Sequence, residues 1–438
     1  MSESIDKKKV LILSYFFPPS NVTSAQRAKG WAKYLGEFGY YPIIITRKWE
    51  REVKSIVDVA TATSAKIEHT VYDNFEVYKL PYKPTIQNRL LIKYGSDKFV
   101  FIRNLLRFSE LIFHKIFLTA SPYYIFFKHA HQLLSSDTEI KLLIASAQPF
   151  HLFGIANKLK KKHPKLKWIA DYRDDWSTNE LINRKKLANK LILALDKIIE
   201  KNWLKNASCF ISVSKHYVSK IKSITNLNGW VIENGFDESE LTDYRKIVAT
   251  KEFKFLYVGT LYNAQIFEPF LEVFKQLIDK FKAQLKIKLT LQGSLVDYVA
   301  TNRVETILKN YKANFEITTR VSRVEMLEMY SQSNLLVMFP YDKLKGIPSS
   351  KIYEYIGLHK PVLLYPSDND VIEQILNSSK LGIIPSSKTE LYNKLAKIIS
   401  AHINDEQWFI QPKNIDIAKY SRKQQTKSLS AILNKTIK

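Results

Sequence analysis

The stretch from Val10 to Thr46 decides the fold. It holds Val10-Leu11-Ile12-Leu13, the break Phe17-Pro18-Pro19-Ser20-Asn21, then Ala28, Trp31, Ala32 and Leu35, then Gly39 and Pro42-Ile43-Ile44-Ile45-Thr46. A continuous apolar run suits a strand buried on both faces, as in a parallel sheet. The spacing of Ala28, Trp31, Ala32 and Leu35 lines one face of a helix. Gly39 suits that helix's C-terminal end. Strand, helix, strand is a βαβ unit. It implies a parallel sheet with ligands at the carboxyl ends of its strands.

The same rhythm continues outward. Leu142-Leu143-Ile144-Ala145, Trp168-Ile169-Ala170, Cys209 to Val213 and Gly229 to Ile232 read as further strands. Residues 237–252 turn polar and read as a linker. A second series follows: Phe253 to Val258 ending in Gly259-Thr260, a helix over 266–282, then Ile287 to Leu291 ending at Gly293. Phe315 to Ile317, Leu335 to Phe339, a helix from Ser350, and Pro361 to Tyr365 complete it. A helix-like stretch, 413–438, closes the chain. The expected class is α/β: two Rossmann-like domains, 1–236 and 253–412.

The 438 residues carry 67 Lys+Arg against 42 Asp+Glu, a net charge of +25. Such a field favours polyanionic partners: nucleic acid, an anionic membrane or phosphorylated substrates. The single cysteine, Cys209, excludes an internal disulfide and a thiolate metal cluster. The Val10–Leu13 run is too short for a signal-peptide core, and no apolar stretch reaches membrane-spanning length. The expected location is the cytoplasm.

One segment departs from the βαβ rhythm. Residues 88–130 interleave aromatic and aliphatic residues with Arg89, Lys93, Lys98, Arg103, Arg107, Lys115 and Lys128, against only Asp97 and Glu110. They read as one or two basic amphipathic helices. Such helices lie in the headgroup region of an anionic membrane; alternatively the aromatics line the N-domain core.

The densest chemistry is Gly346-Ile347-Pro348-Ser349-Ser350-Lys351-Ile352-Tyr353-Glu354-Tyr355, where a loop meets a helix start. Ser349 or Ser350 can cap that helix. Its free N–H groups and dipole make an anion site. Lys351 in the first turn is sensible if a phosphate lies there. Glu354, one turn later, can accept two hydrogen bonds from a ribose diol. The pair reads either as a nucleotide clamp or as a surface i,i+3 ion pair.

This segment resembles the Lys-x-x-Glu-Tyr signature of family-4-like glycosyltransferases of the two-Rossmann (GT-B) fold. Val10 to Pro19 resembles their first strand and Pro-Pro loop. Val231-Ile232-Glu233-Asn234-Gly235-Phe236-Asp237 resembles the end of their N-terminal domain. Tyr257-Val258-Gly259-Thr260-Leu261-Tyr262 resembles the Gly loop of their donor domain, and Asp171 to Trp176 an Asp-x-Arg-Asp-x-Trp element of some members. The match runs in order from about residue 8 to 412.

The resemblance implies two domains facing across a cleft, with the C-terminal helix crossing back to the N-terminal domain. It implies a retaining transfer from a nucleotide-sugar, UDP- or GDP-linked, with no metal required. The acceptor would be lipid-linked or a saccharide, in surface polysaccharide or glycolipid assembly on the inner face of the plasma membrane. Asp368-Asn369-Asp370 has Asp-x-Asp spacing but reads as a turn or helix cap. Gly259, Thr260, Ser349, Ser350, Lys351 and Glu354 form the expected donor site, with Arg320, Arg323 or Arg27 adding phosphate charge. Two departures stand out. Gly346 occupies the position of the family's other glutamate, and Tyr262-Asn263-Ala264-Gln265 holds no basic residue after the Gly loop.

On the acceptor side, Arg27 meets a phosphate or is a solvated helix-start arginine. His151 is a cleft histidine or a structural one. Asp171, Arg173 and Asp174 orient the acceptor hydroxyl or pair with one another. The competing functions are a nucleotide-sugar 2-epimerase of the same fold and a polyanion- or nucleic-acid-binding protein. The latter finds no recognition motif in the sequence, so no nucleic-acid partner is expected.

Overall fold

The computed structural model describes residues 7–180, 187–246, 251–295, 297–412 and 417–437. The chain forms two compact units: Met1–Glu233 with Arg422–Lys438, and Asn234–Ser421.

The first unit is built on β1 (Lys8–Ser14), β2 (Tyr40–Arg47), β3 (Glu68–Val71), β4 (Glu76–Leu80), β5 (Leu142–Ser146), β6 (Lys167–Tyr172), β7 (Cys209–Ser212) and β8 (Gly229–Val231). They form one sheet in the order β3-β4-β2-β1-β5-β6-β7-β8. Every pairing is parallel except β3 with β4. Leu11 lies opposite Ile43 on one side and Leu143 on the other, so β1 is central and apolar on both faces. Chain order switches direction at β1, which opens a crevice at the carboxyl ends of β1 and β5.

The first helix, Thr23–Tyr34, buries Ala28, Trp31 and Ala32 against this sheet, and Leu35 follows them into the core. The last helix, Arg422–Ile437, belongs to this unit. Leu429 and Leu433 enter the same core, and Asn434 accepts a hydrogen bond from Tyr40 at 2.8 Å. Its expected crossing back is therefore observed, though it starts at Arg422; residues 413–416 and 438 of the expected stretch lie outside the described residues.

The second unit holds β9 (Glu252–Val258), β10 (Lys286–Gln292), β11 (Phe315–Ile317), β12 (Leu335–Met338), β13 (Val362–Leu364) and β14 (Gly382–Ile383). Their order is β11-β10-β9-β12-β13-β14, all parallel. The switch point is here at β9, flanked by β10 and β12.

The expected linker 237–252 needs correction. Residues 247–250 lie outside the described ones, but Glu238–Leu241 is a helix packed into the second unit. Phe236 and Leu241 are buried there against Gly357. A Cβ at Gly357 would fall 2.5 Å from the Phe236 ring, so only glycine admits this contact. Polarity misled because acidic residues also start a helix, where the dipole favours them.

Candidate donor site

The second unit gathers its chemistry at the carboxyl ends of β9, β10 and β11. Gly259 follows β9 with φ +95, a conformation costly for any residue with a Cβ. Its N–H donates to the Gln292 carbonyl at 2.7 Å, and its carbonyl accepts from Ser294 at 2.9 Å. Gln292 in turn donates to the Thr319 carbonyl at 2.7 Å. The three strand ends are thus cross-bonded into one rigid rim. Arg320 lies on this rim, exposed, its Cγ 3.7 Å from where a Cβ of Gly293 would stand.

The helix Ser350–Gly357 meets the rim because Tyr355 is buried beneath β9, where its hydroxyl oxygen accepts from the Val258 N–H at 3.0 Å. Its first turn brings Lys351 over Gly259. A Cβ on Gly259 would stand 2.7 Å from Lys351 Cε, so glycine makes room for the lysine stem. Lys351 Nζ donates to the Tyr257 hydroxyl at 2.9 Å and lies 4.4 Å from that ring's centroid. Tyr257 is held by Gln265, whose Oε1 lies 3.0 Å from its hydroxyl and whose amide donates to the Phe339 carbonyl. Lys351 has no carboxylate partner among the described residues, and burial pushes its ammonium down to about 8.

Glu354 points elsewhere. Its carboxylate accepts from Arg323 at 2.8 Å and from the Tyr330 hydroxyl at 3.0 Å. Arg323 also pairs with Glu240 at 3.1 Å, and the two carboxylates hold its guanidinium above the ordinary arginine range despite burial. The alternative of a Lys351–Glu354 surface ion pair is therefore overturned, since each side chain has its own partners. Lone pairs remain on both Glu354 oxygens for further donors. Ser349 stands at the N-cap, but its side chain makes no capping bond. The capping role expected of Ser349 or Ser350 is thus absent, which leaves first-turn N–H groups to be met otherwise.

At Gly346, φ is +69 and the N–H donates to the Asp370 carboxylate. A carboxylate thus lies beside the backbone position where the resemblance places glutamate. Asp368 accepts from the N–H groups of Ile372 and Glu373 at 2.8 and 3.0 Å, so its carboxylate, and not that of the N-cap residue Asp370, satisfies the first turn of the helix Val371–Ser379.

The first unit treats its candidates differently. Arg27 is buried, neither solvated nor exposed to a ligand. Its Nε and Nη2 meet Asp171 at 3.0 and 2.9 Å, and its Nη1 donates to the Ile232 and Glu233 carbonyls at 3.0 Å each. Asp171 also accepts from Ser146 at 2.7 Å and is wholly buried. This corrects the expectation for both: they tie the first helix to β5, β6 and the end of β8. Arg173 donates to the Ala147 carbonyl, and Asp174 is exposed with Gln148 at 3.5 Å. The three residues 171, 173 and 174 do not pair with one another.

His151 is also corrected. It is buried, stacked on Tyr123 at 4.7 Å and near Trp203 at 5.9 Å. Neither ring nitrogen has a hydrogen-bond partner. Burial, then the nearby charges of Lys115 and His114, push it down to about 3. It is a neutral core residue. Sequence reasoning missed Tyr257, Gln265, Tyr330, Glu240 and Asp370. Four of these act by supporting a neighbour, and no spacing rule reveals that; Glu240 was hidden in the supposed linker.

No family model matches the chain, and no curated protein matches it in sequence. Solved structures do match along the whole length. A glycosyltransferase from Rickettsia africae ESF-5 is 12% identical, with 99% of each chain covered and a TM-score of 0.57. The α,α-trehalose-phosphate synthase (UDP-forming) from Burkholderia xenovorans, in complex with glucose-6-phosphate, is 10% identical, covering 98% of this chain and 100% of its own, at 0.61. The fold is GT-B. Anabaena Alr3699/HepE, in complex with UDP and glucose, shares this GT-B architecture at 12% identity, with 98% and 100% covered and a TM-score of 0.58. The GT-B match accounts for both sheets and for the last helix's return to the first unit.

Proposed function

We propose that the protein is a retaining glycosyltransferase that takes a sugar from a UDP- or GDP-sugar and passes it to a lipid-linked or saccharide acceptor. It works peripherally on the inner face of the plasma membrane, in surface polysaccharide or glycolipid assembly, and needs no metal. One observation carries the donor half of this reading: Lys351 stands at a helix start over Gly259 with no carboxylate partner among the described residues. A diphosphate oxygen would complete it, together with the first-turn N–H groups and Arg320. These groups would stabilise the charge that grows on the diphosphate as the sugar leaves. Glu354, oriented by Arg323 and Tyr330, would accept from the ribose hydroxyls. Asp370, whose carboxylate accepts from the Gly346 N–H, would supply the carboxylate for the sugar hydroxyls. Asp174 is the exposed carboxylate of the first unit's strand ends and would orient the acceptor hydroxyl.

A thermal-shift panel of UDP, GDP, ADP, CMP and dTDP with and without a chelator tests this. Stabilisation by one nucleoside diphosphate, unchanged by chelator and lost in Glu354→Ala, is expected. A panel with no shift would sink the donor assignment.

A further inference from the structure

The helix Val100–Ile116 is packed inside out. It buries only Arg103 and Lys115. Phe101, Leu105, Phe108 and Ile116 repeat at helical spacing along one face, joined by Ile102 and Phe113, and all six are exposed, Phe101 by 81% and Leu105 by 58%. Phe99 and Phe117 extend the stripe beyond both ends, and Ile86 and Ile92 of the preceding helix Ile86–Tyr94 are exposed as well.

Polar groups fix this orientation. Lys115 pairs with Asp196 of the helix Leu187–Leu204, with both side chains 6% exposed. Arg103 donates to the carbonyls of Lys98 and Ser96. Glu110 accepts from the Gln87 N–H at 3.1 Å, which ties the two helices together. Turning the stripe inward would bury or break these charges, so the apolar face is held outward.

Exposed apolar surface of this extent marks an interface. Its rim names the partner. Lys83, Arg89, Lys93, Lys98 and Arg107 are exposed on the same stretch of chain, against exposed Asp97. A second copy would bring the same cations face to face. No helix among the described residues is long and apolar enough to cross a membrane. We infer that these two helices lie in the plane of an anionic lipid bilayer, with Phe101, Leu105 and Phe108 in the acyl boundary and the basic rim on the phosphates. This deepens the membrane-side reading above by naming the surface, and its test uses neither donor nor acceptor.

The experiment is sedimentation of the full chain with vesicles of phosphatidylglycerol and phosphatidylethanolamine, against phosphatidylcholine alone. Binding to the anionic vesicles is expected, at least tenfold weaker after Phe101→Ser, Leu105→Ser and Phe108→Ser together. Arg89→Gln with Lys93→Gln, Lys98→Gln and Arg107→Gln is expected to weaken it several-fold and flatten its salt dependence. Because the altered side chains are exposed, both variants keep the wild-type melting temperature. Failure of the wild type to bind, or equal binding by the triple serine variant, overturns the inference. So does a wild-type dimer that ignores vesicles and becomes a monomer in that variant. Vesicle binding without any nucleotide shift supports this surface and removes the donor reading instead.

Discussion

Arg27 and Lys351 both stand near the carboxyl ends of parallel strands, one in each unit. Arg27 is closed off. Asp171 and two carbonyls take its donors, and nothing of it reaches solvent beyond 1%. Lys351 is left open. Among the described residues its one hydrogen-bond acceptor is a neutral hydroxyl, and no carboxylate balances its charge. The comparison teaches that position at a strand end does not make a charge functional. What distinguishes the two is whether the chain already supplies the counter-charge.

The largest expected effect is in the closed cluster. Arg27→Met leaves the Asp171 carboxylate buried without its partner, which costs about 3–5 kcal/mol. Urea unfolding followed by circular dichroism should show that loss. A loss under 1 kcal/mol would mean the cluster is not the closed structural element described. Lys351→Met should do the reverse: no loss of stability, and nucleoside diphosphate affinity lower by about 2 kcal/mol, or roughly 30-fold, as for a hydrogen bond to a charged group.

A pH series sharpens the contrast. The folded-state value of Lys351, about 8, lies below its ordinary 10.5. The cost of keeping it charged is thus present in full below pH 8 and disappears as the pH rises toward 10.5, so this group's contribution to stability increases over that window. Diphosphate affinity should move the other way. It should fall up to about tenfold per unit above pH 8, because the ammonium form binds, and this fall should vanish in Lys351→Met. Parallel pH curves for wild type and variant would refute the assignment. The smallest effect is Gly259→Ala. Its φ of +95 and the 2.7 Å approach to Lys351 Cε predict a loss of about 1 kcal/mol in stability and a weaker diphosphate site, read by calorimetry.

The central strands were legible because burial on both faces leaves a continuous apolar run. Val10–Leu13 sits inside β1, and Ile287–Leu291 inside β10. The edge pair β3 and β4 escaped notice. Glu68-His69-Thr70-Val71 and Glu76-Val77-Tyr78-Lys79-Leu80 mix charge with apolar residues, since β3 at the sheet's edge and β4 beside it are only partly buried. Lys351, Glu354 and Gly259 were legible from their place between loop and helix start, and the structure brings Lys351 and Gly259 into contact. Arg27, Asp171 and His151 were readable as charged or titratable residues at strand ends. Their burial depends on side chains far apart in the chain, such as Tyr123 and Trp203 around His151, and local pattern carries no trace of it.

The most direct test is a calorimetric titration of UDP and of GDP into wild type and Lys351→Met at pH 7. One diphosphate binding the wild type, and at least tenfold weaker binding by the variant with no loss of melting temperature, is the predicted result. Equal binding by the two proteins, or none by the wild type, would contradict the claim that Lys351 awaits a diphosphate.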